Sequence, residues 1–265
     1  MNSIITLFFL YVSAVSATDD PSQRIGGGTL VPITSYPFAT ALLNNPGSGV
    51  FTHRCGGSIL TRNAILSAAS CFYTGNNAHD AVLWRARVGS AYSNSGGTMY
   101  IISRITPHTS FSPTTRANDI AVLRTRFNIQ FVAGLVEAAG LVGRTYTFSN
   151  DQAVEAIGWG AVSSTDPVSS IQLRRTVIWV VDQQICSNRY SELGFTVASN
   201  MVCLGWLDVG VRGQCQGDNG SPILDNGAVV GVFSWAEGCA LGRYPGINTR
   251  LSPYLQWVVS TATAA

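Results

Sequence analysis

Lysine is missing altogether: all 16 basic residues of this 265-residue chain are arginine. Charge of either sign is scarce, at 11% of residues, roughly half the usual share. Disordered chains and coiled coils need far more, which excludes both. The formal charge of +2 comes without a long basic run, so no nucleic-acid partner is expected. No segment reaches the ~18 uninterrupted apolar residues of a spanning helix, so no membrane partner is expected either. The 27 glycines follow no triplet period, which excludes collagen. The missing lysine has a physical reading. An ammonium titrates near ~10.4 whereas a guanidinium stays charged beyond ~12.5, so an arginine-only chain keeps its positive charge in strongly alkaline fluid. A bias in base composition, or avoidance of lysine-cutting proteases, would leave the same trace.

Residues 4–15 form a short apolar stretch that fits the core of a signal peptide, and Val15-Ser16-Ala17 supplies small residues for cleavage. The reading is therefore a signal peptide over 1–17 and a secreted protein. Its six cysteines, an even count, would then be paired. Residues 18–24 are polar and end in Arg24, followed by Ile25-Gly26-Gly27, which reads as a propeptide and its processing site. From Ile25 onward, short β-type runs such as Ala64–Ser67, Arg85–Val88, Met99–Ile102, Ile120–Leu123, Thr176–Val180 and Ala228–Phe233 alternate with turn-forming residues. The pattern predicts an all-β sandwich or barrel. Residues 138–144 could join two halves, about 25–140 and 141–250, of a single domain over 25–265. Only the segment from Ser252 reads as helix, with Ser252 as N-cap and Pro253 at its first position.

Seven motifs stand in a fixed order: Arg24-Ile25-Gly26-Gly27, Cys55-Gly56-Gly57-Ser58, Ser67-Ala68-Ala69-Ser70-Cys71, Asn118-Asp119-Ile120-Ala121, Gly158-Trp159-Gly160, Cys215-Gln216-Gly217-Asp218-Asn219-Gly220-Ser221-Pro222, and Ser234-Trp235-Ala236 with Pro245-Gly246. In this order they resemble the trypsin/chymotrypsin family of secreted serine endopeptidases over nearly the whole chain after Arg24. The resemblance implies two six-stranded antiparallel β-barrels with a C-terminal helix and an active site between them. It also implies the disulfides Cys55–Cys71, Cys186–Cys203 and Cys215–Cys239. No cofactor or metal is implied.

Hydrolysis in that family needs a hydroxyl nucleophile, an imidazole base and an orienting carboxylate. By resemblance Asp119 is the carboxylate, but Ser70 stands at the imidazole position and Asn219 at that of the nucleophile. A carboxamide is a poor nucleophile and a neutral hydroxyl a poor base. The sequence-based expectation is therefore a catalytically inactive homologue, not an enzyme. Its partners would be peptides or proteinaceous protease inhibitors, together with active gut proteases. It would be a monomer in an extracellular, alkaline gut lumen, as in a caterpillar midgut. Two alternatives are an active or weakly active chymotrypsin-like digestive endopeptidase and a non-catalytic cofactor of an extracellular protease cascade.

The rest of the cleft is expected to remain. Gly217 and Asn219 would supply the backbone N–H groups of an oxyanion hole. Ser234, Trp235 and Ala236 would pair an extended peptide. Gly213 would form the uncharged base of a side-chain pocket walled by Ala236 and Gly246, favouring an apolar or aromatic group. Asp119 is expected to be held by Ser234 and by the backbone of Ala69 and Ser70. Asp218 would pair with the amine released by cleavage between Arg24 and Ile25. Ser221 replaces the family's glycine. Of the three histidines, His53 reads as structural, His79 as solvated and His108 as part of a surface loop, with none reaching Asn219.

Overall fold

The computed structural model describes residues 28–161 and 169–264; the expected signal peptide, propeptide and Arg24–Ile25 bond lie outside the described residues. The first barrel is closed by six antiparallel strands: β1 (Ala39–Asn44), β2 (Thr52–Thr61), β3 (Ala64–Ser67), β4 (Trp84–Val88), β5 (Thr98–Pro107) and β6 (Ala121–Thr125). Around the barrel they pair in the order β1-β2-β3-β6-β5-β4 and back to β1. The second has β7 (Ala153–Gly158), β8 (Arg174–Val181), β9 (Met201–Gly205), β10 (Pro222–Asp225), β11 (Ala228–Trp235) and β12 (Gly246–Arg250). These run β8-β7-β10-β11-β12-β9, and a pairing of β8 with β9 closes the ring. The two-barrel, all-β expectation is met.

Alternation decides which side chains fill the barrels, because successive residues of a strand face opposite sides. In β4, Trp84, Ala86 and Val88 are buried while Arg85 and Arg87 point out; in β8, Thr176, Ile178 and Val180 are buried. Val154, Ala156, Ile178, Val180, Val202, Leu204, Ile223 and Val230 form the second barrel's interior. The larger core fills the first barrel and extends through Ile157, Trp159, Leu173 and Val232 into the seam between the two. That seam fixes one barrel against the other and so the geometry of the cleft.

Two helices complete the fold. The chain ends in a short 3₁₀ turn, Ser252–Tyr254, that runs into α2 (Leu255–Thr263), with α1 (Gln183–Ser191) lying earlier. Ser252 is the first residue of that turn and not the cap, a place taken by Leu251, whose side chain makes no capping bond; such a 3₁₀ turn is common at the start of an α-helix. Helix α1 is not expected from sequence. Only Cys186 and Tyr190 of its nine residues are buried, so no apolar stripe announces it. It is nucleated by Asp182, whose carboxylate accepts from the N–H groups of Gln184 and Ile185, and tethered by Cys186–Cys203. The other disulfides are Cys55–Cys71 and Cys215–Cys239, so all three expected pairs are present. No described helix is long and apolar enough to cross a membrane.

Candidate active site

Asp119 lies just before β6 and is completely buried. The preceding Asn118 holds a left-handed backbone (φ 56°), anchored by Tyr254, whose hydroxyl donates to Asn118 Oδ1 at 2.6 Å. The Ser70 N–H donates to Asp119 Oδ1 at 2.7 Å, and the Ser234 hydroxyl donates to Oδ2. Thr249 Oγ1 donates to the Asp119 carbonyl at 2.9 Å. Ser234 reaches Asp119 because the β11–β12 register shifts between Phe233 and Trp235, a bulge that re-aims this side chain. Burial pushes the Asp119 carboxyl above its ordinary range, opposed by the bonds from Ser234 and Ser70. Ser70 Oγ, although buried, finds no partner among the described residues.

Asn219 faces this group across the cleft. Its Nδ2 donates to the Ser234 carbonyl, which bridges the loop of residues 215–221 to the edge of β11. That loop is fixed by its carbonyls. Asn219 O accepts from Gly56 N–H at 2.8 Å, Gln216 O from Ala161 N–H at 2.7 Å and Asp218 O from Ser221 N–H at 2.8 Å. His53 Nε2 lies 2.9 Å from the Gly217 carbonyl, which can only accept, so Nε2 carries the proton. Burial lowers His53 to about 4, so the ring is neutral near pH 7 and above. The N–H groups of Gly217 and Asn219 donate to no described residue. Gly217 holds φ +93° and Gly220 φ +81°, and a Cβ on Gly220 would sit 2.1 Å from Ser67 Oγ, so the turn demands glycine there.

Asp218 points away from the cleft. Its carboxylate accepts from Gly160 N–H at 2.7 Å and Cys215 N–H at 3.0 Å and, among the described ion pairs, meets no cation. Burial raises it to about 7 despite those two bonds. Ser221 beside it is buried, its hydroxyl without a partner among the described residues, and a Cβ on Gly56 would lie 1.9 Å from that oxygen. Glycine at 56 is what makes room for the serine. A buried orphan hydroxyl costs ~1–3 kcal/mol. Ser221→Ala is expected to raise stability by about 1 kcal/mol, or about 2–4 °C in Tm by calorimetry. A lower Tm would mean that the hydroxyl has a partner.

A pocket of about 100 Å³ beside Asn219 is lined by Cys215, Gln216, Phe233, Trp235, Ala236 and Gly238. Gly213 and Gly246 are not among its lining. A Cβ on Gly213 would meet Ala240 Cα at 3.0 Å, and one on Gly246 would meet the Phe233 ring at 3.3 Å. The buried Phe233 ring, packed against Gly246, thus fills space where a wall of the expected pocket would stand. His79 is part-exposed: it stacks on Trp84 at 5.9 Å, approaches Thr74 Oγ1 at 2.8 Å, and shares a cavity with Ser70 and Asn219. His108 packs edge-on against Tyr254 and Trp257 at 5.1 and 5.0 Å, which ties its loop to α2.

The profile of the family described as Trypsin matches residues 25–258. The chain belongs to the trypsin family. Its relatives include "Trypsin, alkaline A" of Manduca sexta, 44% identical over 97% of this chain and 98% of that one. "Trypsin CFT-1" of Choristoneura fumiferana is 42% identical over 99% and 100%, and "Achelase-1" of Lonomia achelous 42% over 79% and 95%. These names overturn the expectation that the chain is not an enzyme: proteins alike over nearly their whole length are called trypsins. Ser70 and Asn219 nevertheless remain the groups at the cleft. They decide how a trypsin-family fold would have to hydrolyse here.

Proposed function

We propose that the chain is a secreted digestive endopeptidase of the trypsin family that binds peptides extended along its cleft and hydrolyses them slowly, with water as the nucleophile. The carrying observation is the loop of residues 215–221, whose carbonyls are tied down while the Gly217 and Asn219 N–H groups have no partner among the described residues. Two such donors stabilise an oxyanion without side-chain chemistry. Water adds as hydroxide to the scissile carbonyl carbon, the oxyanion is held by these N–H groups, and the amine leaves with a proton from a solvent water, which restores the hydroxide. Binding and an oxyanion hole alone give ~10³–10⁴ over water in a protease stripped of its triad.

An apolar side chain would enter the pocket beside Phe233 and Ala236. Its volume of about 100 Å³ favours compact groups such as Leu or Val over aromatic ones. The peptide backbone would pair along Ser234–Ala236, displacing Asn219 Nδ2 from the Ser234 carbonyl. A proteinaceous inhibitor with an extended binding loop would use the same surface. Three relatives are named alkaline trypsins, which together with the lysine-free composition supports work in alkaline fluid such as a gut lumen.

The test is turnover of a leucine anilide by protein first treated with a fluorophosphonate, which silences any contaminating serine protease. The expected result is slow, saturable release that an extended-loop inhibitor blocks at micromolar concentration, with no covalent label on this chain. Absence of saturable turnover sinks the enzyme reading, and stoichiometric labelling sinks water as the nucleophile.

A further inference from the structure

Where the family places an imidazole, this chain has a cavity. It measures about 240 Å³ and its lining includes Arg54, Ser70, Thr74, His79, Arg116 and Asn219. A second cavity of about 240 Å³ adjoins it and shares Arg54, Thr74 and His79. No carboxylate lines either one. Neither the Arg54 nor the Arg116 guanidinium has an ion pair or hydrogen-bond partner among the described residues. In a chain with so few charges, two guanidiniums on one cavity form a concentrated positive site, although Arg116 also acts through its field on the Asp119 carboxyl without touching it. The Ser70 hydroxyl is buried there with no hydrogen-bond partner among the described residues, as is His79 Nδ1. The opposing charge is Asp119, which sits behind Ser70 with its oxygens already engaged by Ser70 N–H and Ser234.

We propose that this cavity is an anion subsite that receives a carboxylate of the bound peptide, with Arg54 and Arg116 as its cations and Ser70 Oγ as a neutral donor. Asn219 lines both this cavity and the apolar pocket, so a peptide whose side chain fills that pocket passes directly into the basic one. The carboxylate is either the acidic side chain of the next residue or the α-carboxylate of a peptide that ends there. The inference rests on the cleft reading above and narrows its substrates to peptides with an acid or a free end beside the apolar residue. Guanidinium suits the task because its planar fork matches a carboxylate and stays charged in alkaline fluid.

Fluorescence anisotropy with four labelled peptides tests it. Three share an N-terminal segment ending in Leu and continue as Glu-amide, Gln-amide or Gln with a free carboxylate; the fourth stops at Leu-amide and probes the pocket and strand edge alone. Glu-amide, the free acid or both are expected to bind about tenfold tighter than Gln-amide. Which of the two gains identifies the source of the carboxylate. The preference should shrink as salt rises from about 0.05 to 0.5 M. It should fall to about one in Arg54→Gln/Arg116→Gln, and part-way in each single variant. Equal affinities for the three longer peptides, or a preference that survives in the double variant, overturn the subsite while Leu-amide binding keeps the cleft reading intact. If Leu-amide itself does not bind, the cleft reading falls and the subsite with it.

Discussion

Replacing Ser70 by His and Asn219 by Ser together is expected to raise kcat/KM by at least ~10³, and each single change by far less. Nucleophile and base act as a unit: in subtilisin, losing either alone costs about as much as losing both, ~10⁶ in kcat. The structure is prepared for the pair. The cavity of about 240 Å³ at position 70 has room for an imidazole. Asp119 uses one lone pair of each oxygen on Ser70 N–H and Ser234, and an ionised carboxylate offers about four acceptor sites, so it could orient the new ring. Removing Asn219 also frees the Ser234 carbonyl for a peptide. The double variant should label stoichiometrically with a fluorophosphonate. A folded but unimproved variant would place the defect in the loop, and adding Ser221→Gly is then the discriminating step.

Cleavage after Arg24 is expected to stabilise the protein strongly near pH 8 and hardly at all near pH 4. Asp218 is buried and raised to about 7. Because its folded value lies above the ordinary carboxylate value, the folded state holds the proton more tightly than the unfolded chain. Stability therefore falls as pH rises through the window from about 4 to 7, and the penalty is complete above it. At ~1.4 kcal/mol for each pH unit, the loss is on the order of 4 kcal/mol. A new α-ammonium at Ile25, if it reaches Asp218 as the family resemblance implies, removes most of that cost. Calorimetry of uncleaved and cleaved protein should show Tm values that diverge between pH 4 and 8. In Asp218→Asn the divergence should vanish, because no charge is left to neutralise. A pH-independent difference would mean that the new terminus acts elsewhere.

Much of this molecule can be read from its sequence because its elements carry strong local signals. The runs at Ala64–Ser67, Arg85–Val88 and Thr176–Val180 all lie within strands, since β-branched and alternating residues leave few other choices. The groups around Asp119 follow from motif order, and Ser234 and the Ser70 N–H meet the carboxylate as expected. What escapes is set by tertiary packing. Phe233 narrows the pocket because a bulge and a facing glycine direct its ring there. His79 keeps part of its ring in solvent, as its polar loop suggests, but chain reversal also carries it onto Trp84. Arg54 and Arg116 stand far apart in sequence, and only the approach of β2 to the loop before β6 puts both on one cavity. The expectation of a chain without activity rested on the side chains at positions 70 and 219, and the whole-length likeness to named trypsins overturns it.

Hydrolysis by solvent hydroxide in a preformed oxyanion hole is tested most directly by the pH–rate profile of fluorophosphonate-treated protein. Between pH 8 and 10 log kcat/KM for the leucine anilide should rise with a slope near one, following hydroxide, with no inflection near pH 7. A plateau above pH 7, the mark of a titrating imidazole base, or a rate no greater than that of buffer would contradict it.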